Sequence, residues 1–146
     1  MNYGMIRNIV GKILVLIATL MVLPLLVSLI YQEGLKNFIS FLIPIGGLFL
    51  TGFLMCSKKP VNIRIGVKEG FIIVSLSWII MSLFGSIPFV ISGEIPSFVD
   101  AFFEITSGFT TTGASVVTNI EELSHSILFW RSFSHWIGGM GILVFI

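Results

Sequence analysis

Residues Thr110-Thr111-Thr112-Gly113-Ala114-Ser115 place four hydroxyls and a glycine in six consecutive positions with little side-chain bulk. Such a run has little to pack, and its chemistry lies in its backbone. A row of carbonyl oxygens along an aqueous path can replace a cation's hydration shell. Gly113 reaches dihedral angles closed to other residues, so a bend that turns successive carbonyls toward one axis is easiest there. The alternative for the same run is a hydroxyl-capped loop with no ligand. No nucleophile-base pair, metal triad or phosphate-cradling glycine loop is evident, so an enzyme is the least supported class, and nothing points to nucleic acid.

The element that positions this run is a short helix. Ser97 followed by Asp100 has the spacing of a helix N-terminus, where side chains satisfy the first free amides. Phe98, Ala101, Phe102, Ile105 and Phe109 recur at three- and four-residue steps, which gives one apolar face. The predicted helix, 98–109, rises roughly 18 Å, too short for a hydrocarbon core of about 30 Å. It must enter and turn back. Irregular backbone at membrane depth is tolerated only where protein buries it or an aqueous path runs beside it. The helix's carboxyl end carries partial negative charge, which favours a cation held there.

The rest of the chain supplies a lipid-embedded scaffold. Of 146 residues, 55% are hydrophobic and 10% charged, against about 25% charged in soluble domains. Three uncharged apolar stretches, 13–30, 38–56 and 71–90, approach the roughly 20 residues that span a bilayer. No strand-like alternation accompanies them, so the expected class is all-α integral membrane protein. The first stretch is too long for the apolar core of a signal peptide and reads as a mature transmembrane helix.

Basic residues set an expected orientation. Arg7, Lys12, Lys58, Lys59, Arg64 and Lys68 fall before the first span or between the second and third, which places the amino terminus in the cytoplasm. Glu33, Glu94, Asp100, Glu104, Glu121 and Glu122 then fall outside, where a negative vestibule would concentrate cations. A merely solvated outer loop is the alternative.

The runs Phe103-Glu104-Ile105-Thr106-Ser107-Gly108-Phe109-Thr110-Thr111-Thr112-Gly113-Ala114-Ser115, Leu128-Phe129-Trp130-Arg131-Ser132 and Trp136-Ile137-Gly138-Gly139-Met140-Gly141 together resemble the TrkH/TrkG potassium-uptake family. A weaker likeness extends back through Phe84-Gly85-Ser86-Ile87-Pro88-Phe89. The resemblance implies two leading transmembrane helices with a basic cytoplasmic loop over 1–70. One pore repeat would occupy 71–146: outer helix 71–91, pore helix 98–109, filter 110–115 and the start of an inner helix at 127–146. It makes the carbonyls of Thr111 and Thr112 potassium ligands, with Gly113 as filter glycine and Thr110 and Ala114 as neighbours. Potassium is then the transported ion and no other metal is expected. In related transporters a serine at the filter-glycine position of the first repeat goes with sodium preference, so Gly113 implies that potassium passes. The resemblance also implies a prokaryotic inner-membrane location, a homodimer of the full-length protein and a cytosolic nucleotide-binding regulatory subunit of the TrkA type.

The last apolar stretch stops without a basic anchor, so the natural chain is expected to continue into three further repeats. A homotetramer of short subunits, or an accessory membrane subunit in which 110–115 is only a turn, are the alternatives. Glu104 could shape the vestibule field or orient backbone amides behind the loop. Arg131, at a helix end, is expected to snorkel to the interface, with bracing of the loop as the alternative. His125 and His135 lack a third ligand nearby and are expected in packing or interfacial hydrogen bonds. Cys56 is expected to pack. Trp78, Trp130 and Trp136 are interface anchors or core. Gly138, Gly139 and Gly141 would permit close packing of the inner helix, and Pro24, Pro44 and Pro88 are expected to kink theirs.

Overall fold

A computed structural model describes residues 2–57 and 66–145, with side chains as far as residue 141. The regular structure among the described residues is helical: α1 (Tyr3–Leu20), α2 (Val22–Ile30), α3 (Leu35–Cys56), α4 (Val67–Ser92), α5 (Phe98–Phe109), a single 3-10 turn (Ile120–Glu122) and α6 (His125–Phe145). The basic-loop residues Lys58, Lys59 and Arg64 lie outside the described residues.

α1 begins ten residues before the apolar stretch that marks it in sequence. Arg7, Asn8 and Lys12 interrupt the hydropathy, yet Ile6, Val10, Leu14 and Ile17 recur on one face and are buried. The Asn2 side chain caps it by accepting the Met5 N–H at 3.2 Å. α1 and α2 form one interrupted span. Met21 keeps right-handed helical dihedrals (φ −67, ψ −12) and its N–H bonds the Ile17 carbonyl at 2.9 Å. The interruption falls where Pro24 removes the N–H that the Leu20 carbonyl would otherwise accept. α3 and α4, by contrast, run through Pro44 and Pro88 without a break.

Tyr3–Ile30, Leu35–Cys56 and Val67–Ser92 are long and apolar enough to cross a membrane. Large apolar side chains lie outside: Leu50, Phe53, Leu54 and Phe71 are all more than 60% exposed. Serines lie inside, with Ser40, Ser77, Ser86 and Ser134 all buried. An apolar exterior over a core in which serines sit among the apolar side chains suits a lipid solvent, because helices there associate through close packing and hydrogen bonds. The chain is an all-α membrane protein.

Small residues let the backbones approach. A Cβ on Gly11 would meet the Gly52 carbonyl, Cys56 Sγ and Met55 Cβ, all at 2.9 Å, and a Cβ on Gly52 would meet the Gly11 carbonyl at 2.8 Å. α1 and α3 therefore cross in near backbone contact. Cys56 packs there and its thiol reaches the Asn8 carbonyl at 3.6 Å.

The two ends of the bundle are tied separately. At one, Arg7 Nε donates to the Met55 carbonyl at 3.1 Å and the Asn2 N–H to Glu69 at 3.3 Å. At the other, Glu94 accepts the Ser124 N–H at 3.0 Å and Glu33 accepts the Ser126 N–H at 3.2 Å. Two carboxylates from separate inter-helix turns thus meet the open amides at the start of α6, where negative charge is favoured.

Candidate functional site

α5 covers the residues that its spacing predicts. The Ser97 hydroxyl accepts the Asp100 N–H at 3.4 Å, and Ala101, Ile105 and Phe109 form its fully buried face. The helix is wedged between α4 and α6 by glycines. A Cβ on Gly85 of α4 would meet Ile105 at 3.0 Å and Phe109 at 3.2 Å. A Cβ on Gly138 of α6 would overlap the Phe109 carbonyl, and one on Gly108 would overlap the Ser134 hydroxyl. Trp130, fully buried, donates its indole N–H to the Gly85 carbonyl at 2.9 Å and meets Phe109 edge-on at 6.1 Å. Trp130 is core, whereas Trp136 is 57% exposed. Of the three inner-helix glycines, Gly138 makes the close approach, while a Cβ on Gly139 would meet nothing within 4 Å.

The helix ends in a turn that reverses the backbone. Thr111 has φ +57, and Gly113 has φ +77. The first value is strained for a β-branched residue and the second is natural for glycine. The Ser107 carbonyl accepts the N–H groups of Thr112 at 2.9 Å and Gly113 at 3.4 Å. Thr110 Oγ1 donates to the Thr106 carbonyl at 2.8 Å, so the proton shared with Thr112 Oγ1, also at 2.8 Å, comes from Thr112. Thr111 Oγ1 donates to the Thr110 carbonyl at 2.7 Å. The hydroxyls shape the turn and leave backbone oxygens over.

Among the described residues, no donor reaches the carbonyls of Thr111, Thr112 or Gly113. The Ala114 carbonyl differs, because it accepts the Ser107 hydroxyl at 2.6 Å. Residues 110–116 are exposed along this whole stretch. The five candidate residues are therefore brought together, but not equally. Thr111, Thr112 and Gly113 offer successive unbonded carbonyls, while those of Thr110 and Ala114 are engaged.

The far side of the loop is held by Glu104, one helical turn before Ser107 and 1% exposed. Its carboxylate accepts the Ser115 hydroxyl at 2.9 Å, the Val116 N–H at 2.9 Å and Arg131 Nε. Of the two readings of Glu104, orientation of the loop backbone is the one realised. Arg131 departs from expectation: its side chain is 13% exposed and pairs with Glu104 rather than snorkelling to an interface. The physical reason is the buried carboxylate, which requires a compensating charge. This pairing also removes Glu104 from any negative vestibule. Glu33, with a side chain 8% exposed, caps α6 instead, and Asp100, Glu121 and Glu122 are the acids that remain exposed. His125 stacks on Tyr31 with ring centroids 4.1 Å apart and sits 3.4 Å from Glu33. His135 Nδ1 lies 2.9 Å from the Arg131 carbonyl.

Sequence reasoning misses Ser107 and Ser115 as loop ties. Their spacing from Ala114 and Glu104 is visible in the chain, but nothing marks them apart from other serines.

Comparison with known proteins agrees with this architecture. Residues 35–146 match the family model described as TrkH, cation transport protein. An uncharacterized cation transporter of Methanocaldococcus jannaschii is 42% identical over 142 residues, which is 95% of this chain and 29% of that protein. The Trk system potassium uptake protein TrkH of Halomonas elongata is 38% identical over 146 residues, 99% of this chain and 30% of that protein. The crystal structure of the potassium transporter TrkH from Vibrio parahaemolyticus superposes with a TM-score of 0.89 at 37% identity, covering 99% of this chain and 31% of that one. The chain thus spans about three tenths of the relatives it matches. With the family model covering most of its length and close likeness in both sequence and fold, the chain belongs to the TrkH family, whose members are cation transporters and not enzymes.

Proposed function

We propose that this chain contributes one of four filter loops to a potassium transporter of the TrkH kind, with α5 as the pore helix and residues 110–115 as the filter. In this reading residues 1–70 hold the leading helix pair and 71–146 the first pore repeat, with the boundary moved back to Val67, where α4 begins. The carbonyls of Thr111, Thr112 and Gly113 are the potassium ligands, with Thr110 and Ala114 flanking them. The observation that carries the reading is the run of three unbonded carbonyls just past the buried last turn of a short helix. Three oxygens left without donors, on a loop otherwise tied from behind by Ser107 and Glu104, suit a desolvated cation. Support for potassium comes from relatives whose names are those of potassium uptake proteins.

One loop encloses nothing, so the path requires three more. The amino terminus and the basic segment between α3 and α4 face the cytoplasm of a prokaryotic inner membrane, on the strength of the basic residues there. The assembled transporter is a homodimer that docks a cytosolic nucleotide-binding regulator of the TrkA type.

Sequencing the coding region past Ile146 tests the four-loop plan, with three further repeats of helix, loop and helix expected. Potassium uptake by the full-length protein tests the filter. Gly113→Val, which puts a β-branched residue at φ +77, is expected to abolish uptake while leaving the protein in the membrane. Unchanged uptake would overturn the reading.

A further inference from the structure

The geometry points to Ser107 as the residue that sets how many carbonyls the loop offers a cation, and hence how it discriminates among alkali cations. This inference rests on the filter reading above. Ser107 is buried, at 5% exposure, one turn before the loop. Its carbonyl accepts the N–H groups of Thr112 and Gly113, which fixes the backbone that carries the open carbonyls. Its hydroxyl donates to the Ala114 carbonyl at 2.6 Å, which turns that oxygen toward α5.

Other buried serines in the chain behave differently. Ser40, Ser77, Ser86 and Ser134 each donate back to a carbonyl three or four residues earlier in their own helix. That back-bonding is the ordinary habit of a helical serine. Ser107 instead reaches seven residues forward, out of its helix, to a loop carbonyl. The row of open oxygens from Thr111 to Gly113 is interrupted at Ala114, where this bond takes the carbonyl. Discrimination between cations responds to the number and field of coordinating carbonyl dipoles, so the bond that withholds the Ala114 carbonyl from the row is a specificity determinant. Ser107 is a positioning residue: it acts on the cation through Ala114 and not by contact.

The test compares Ser107→Ala and Ser107→Cys with the parent in the full-length transporter, expressed in cells without other potassium uptake. Potassium, rubidium and sodium uptake are measured per molecule in the membrane, with KM and maximal rate separated. Alanine removes the donor, and cysteine replaces it with a weaker and bulkier one. The expected result is a severalfold fall in the potassium-to-sodium ratio for alanine, a smaller fall for cysteine, and a changed potassium KM. An unchanged ratio and KM in Ser107→Ala would overturn the inference. A loss of maximal rate equal for all three ions, with KM constant, would also overturn it by assigning Ser107 a purely structural role. Gly113→Val run in parallel separates the two levels. If it abolishes uptake while Ser107→Ala changes nothing, the filter reading stands and this inference alone falls.

Discussion

Arg131 Nε donates to Glu104 Oε1, joining α6 to α5 through an ion pair whose acid is 1% exposed. The same carboxylate holds the Ser115 hydroxyl and the Val116 N–H, so one side chain ties the inner helix, the short helix and the loop together. α6 cannot shift at Arg131 without moving the support of the loop.

Removing one partner from this pair should be worse than removing both. Glu104→Ala leaves Arg131 Nε and the Val116 amide without their acceptor and the Ser115 hydroxyl with only the Val117 carbonyl at 3.5 Å, and breaking a buried pair costs about 3 to 5 kcal/mol. Arg131→Met should cost a similar amount by stranding the carboxylate. The double variant Glu104→Met, Arg131→Met should recover part of the loss. Thermal unfolding midpoints of the purified protein in detergent check this, and equal additive losses would argue against coupling.

The wedge of α5 against α6 predicts a sharp difference between adjacent glycines. A Cβ at Gly138 overlaps the Phe109 carbonyl, whereas a Cβ at Gly139 meets nothing within 4 Å. Gly138→Ala should destabilise by about 1 to 3 kcal/mol, as overpacking does, and under the proposed filter role should lower potassium uptake by the full-length protein. Gly139→Ala should leave both unchanged. Uptake and unfolding measured on the two variants side by side decide it.

Trp130→Phe keeps an aromatic ring but deletes the donor to the Gly85 carbonyl. The expected loss is about 0.5 to 1.5 kcal/mol, the net worth of one hydrogen bond, because the Gly85 carbonyl lies within α4 and keeps its place in the helical ladder. Trp136→Phe, at an exposed position, should change stability little. The unfolding midpoints of the two variants give the comparison.

Glu33 meets the open amides of α6 through the Ser126 N–H and also faces His125. Glu33→Gln keeps an acceptor but removes the charge, and should cost roughly 0.3 to 2 kcal/mol by weakening the interaction with the helix terminus. Because the Glu33 side chain is 8% exposed, added salt should screen its interaction little and leave the difference between parent and variant nearly unchanged. Unfolding at low and high ionic strength tests both halves of that expectation.

Local patterns in the chain were enough for the helical class, the three spans and the bounds of α5. Hydropathy runs mark lipid-facing length, and Ser97 and Asp100 with the apolar steps to Phe109 mark a helix start and face. These features repeat within a few residues, so they need no knowledge of the fold. The start of α1 escaped the same reading, because Arg7, Asn8 and Lys12 mask an apolar face that a helix sorts by angle rather than by run.

The threonine run and Gly113 were legible as a loop with unusual backbone, but which carbonyls stay open was decided by tertiary structure. Ala114 is engaged only because α5 brings the Ser107 hydroxyl beneath it. Arg131 was expected at an interface and lies instead on Glu104, 27 residues earlier, and Glu33 reaches Ser126 across 93 residues. Gly11 and Gly52 matter only because two helices cross there. Sequence determined where the chain must be helical and where it must bend, since those follow from backbone hydrogen bonding and hydropathy along the chain. Packing decided which polar groups meet, since a buried charge or carbonyl takes whatever partner the folded bundle brings within reach.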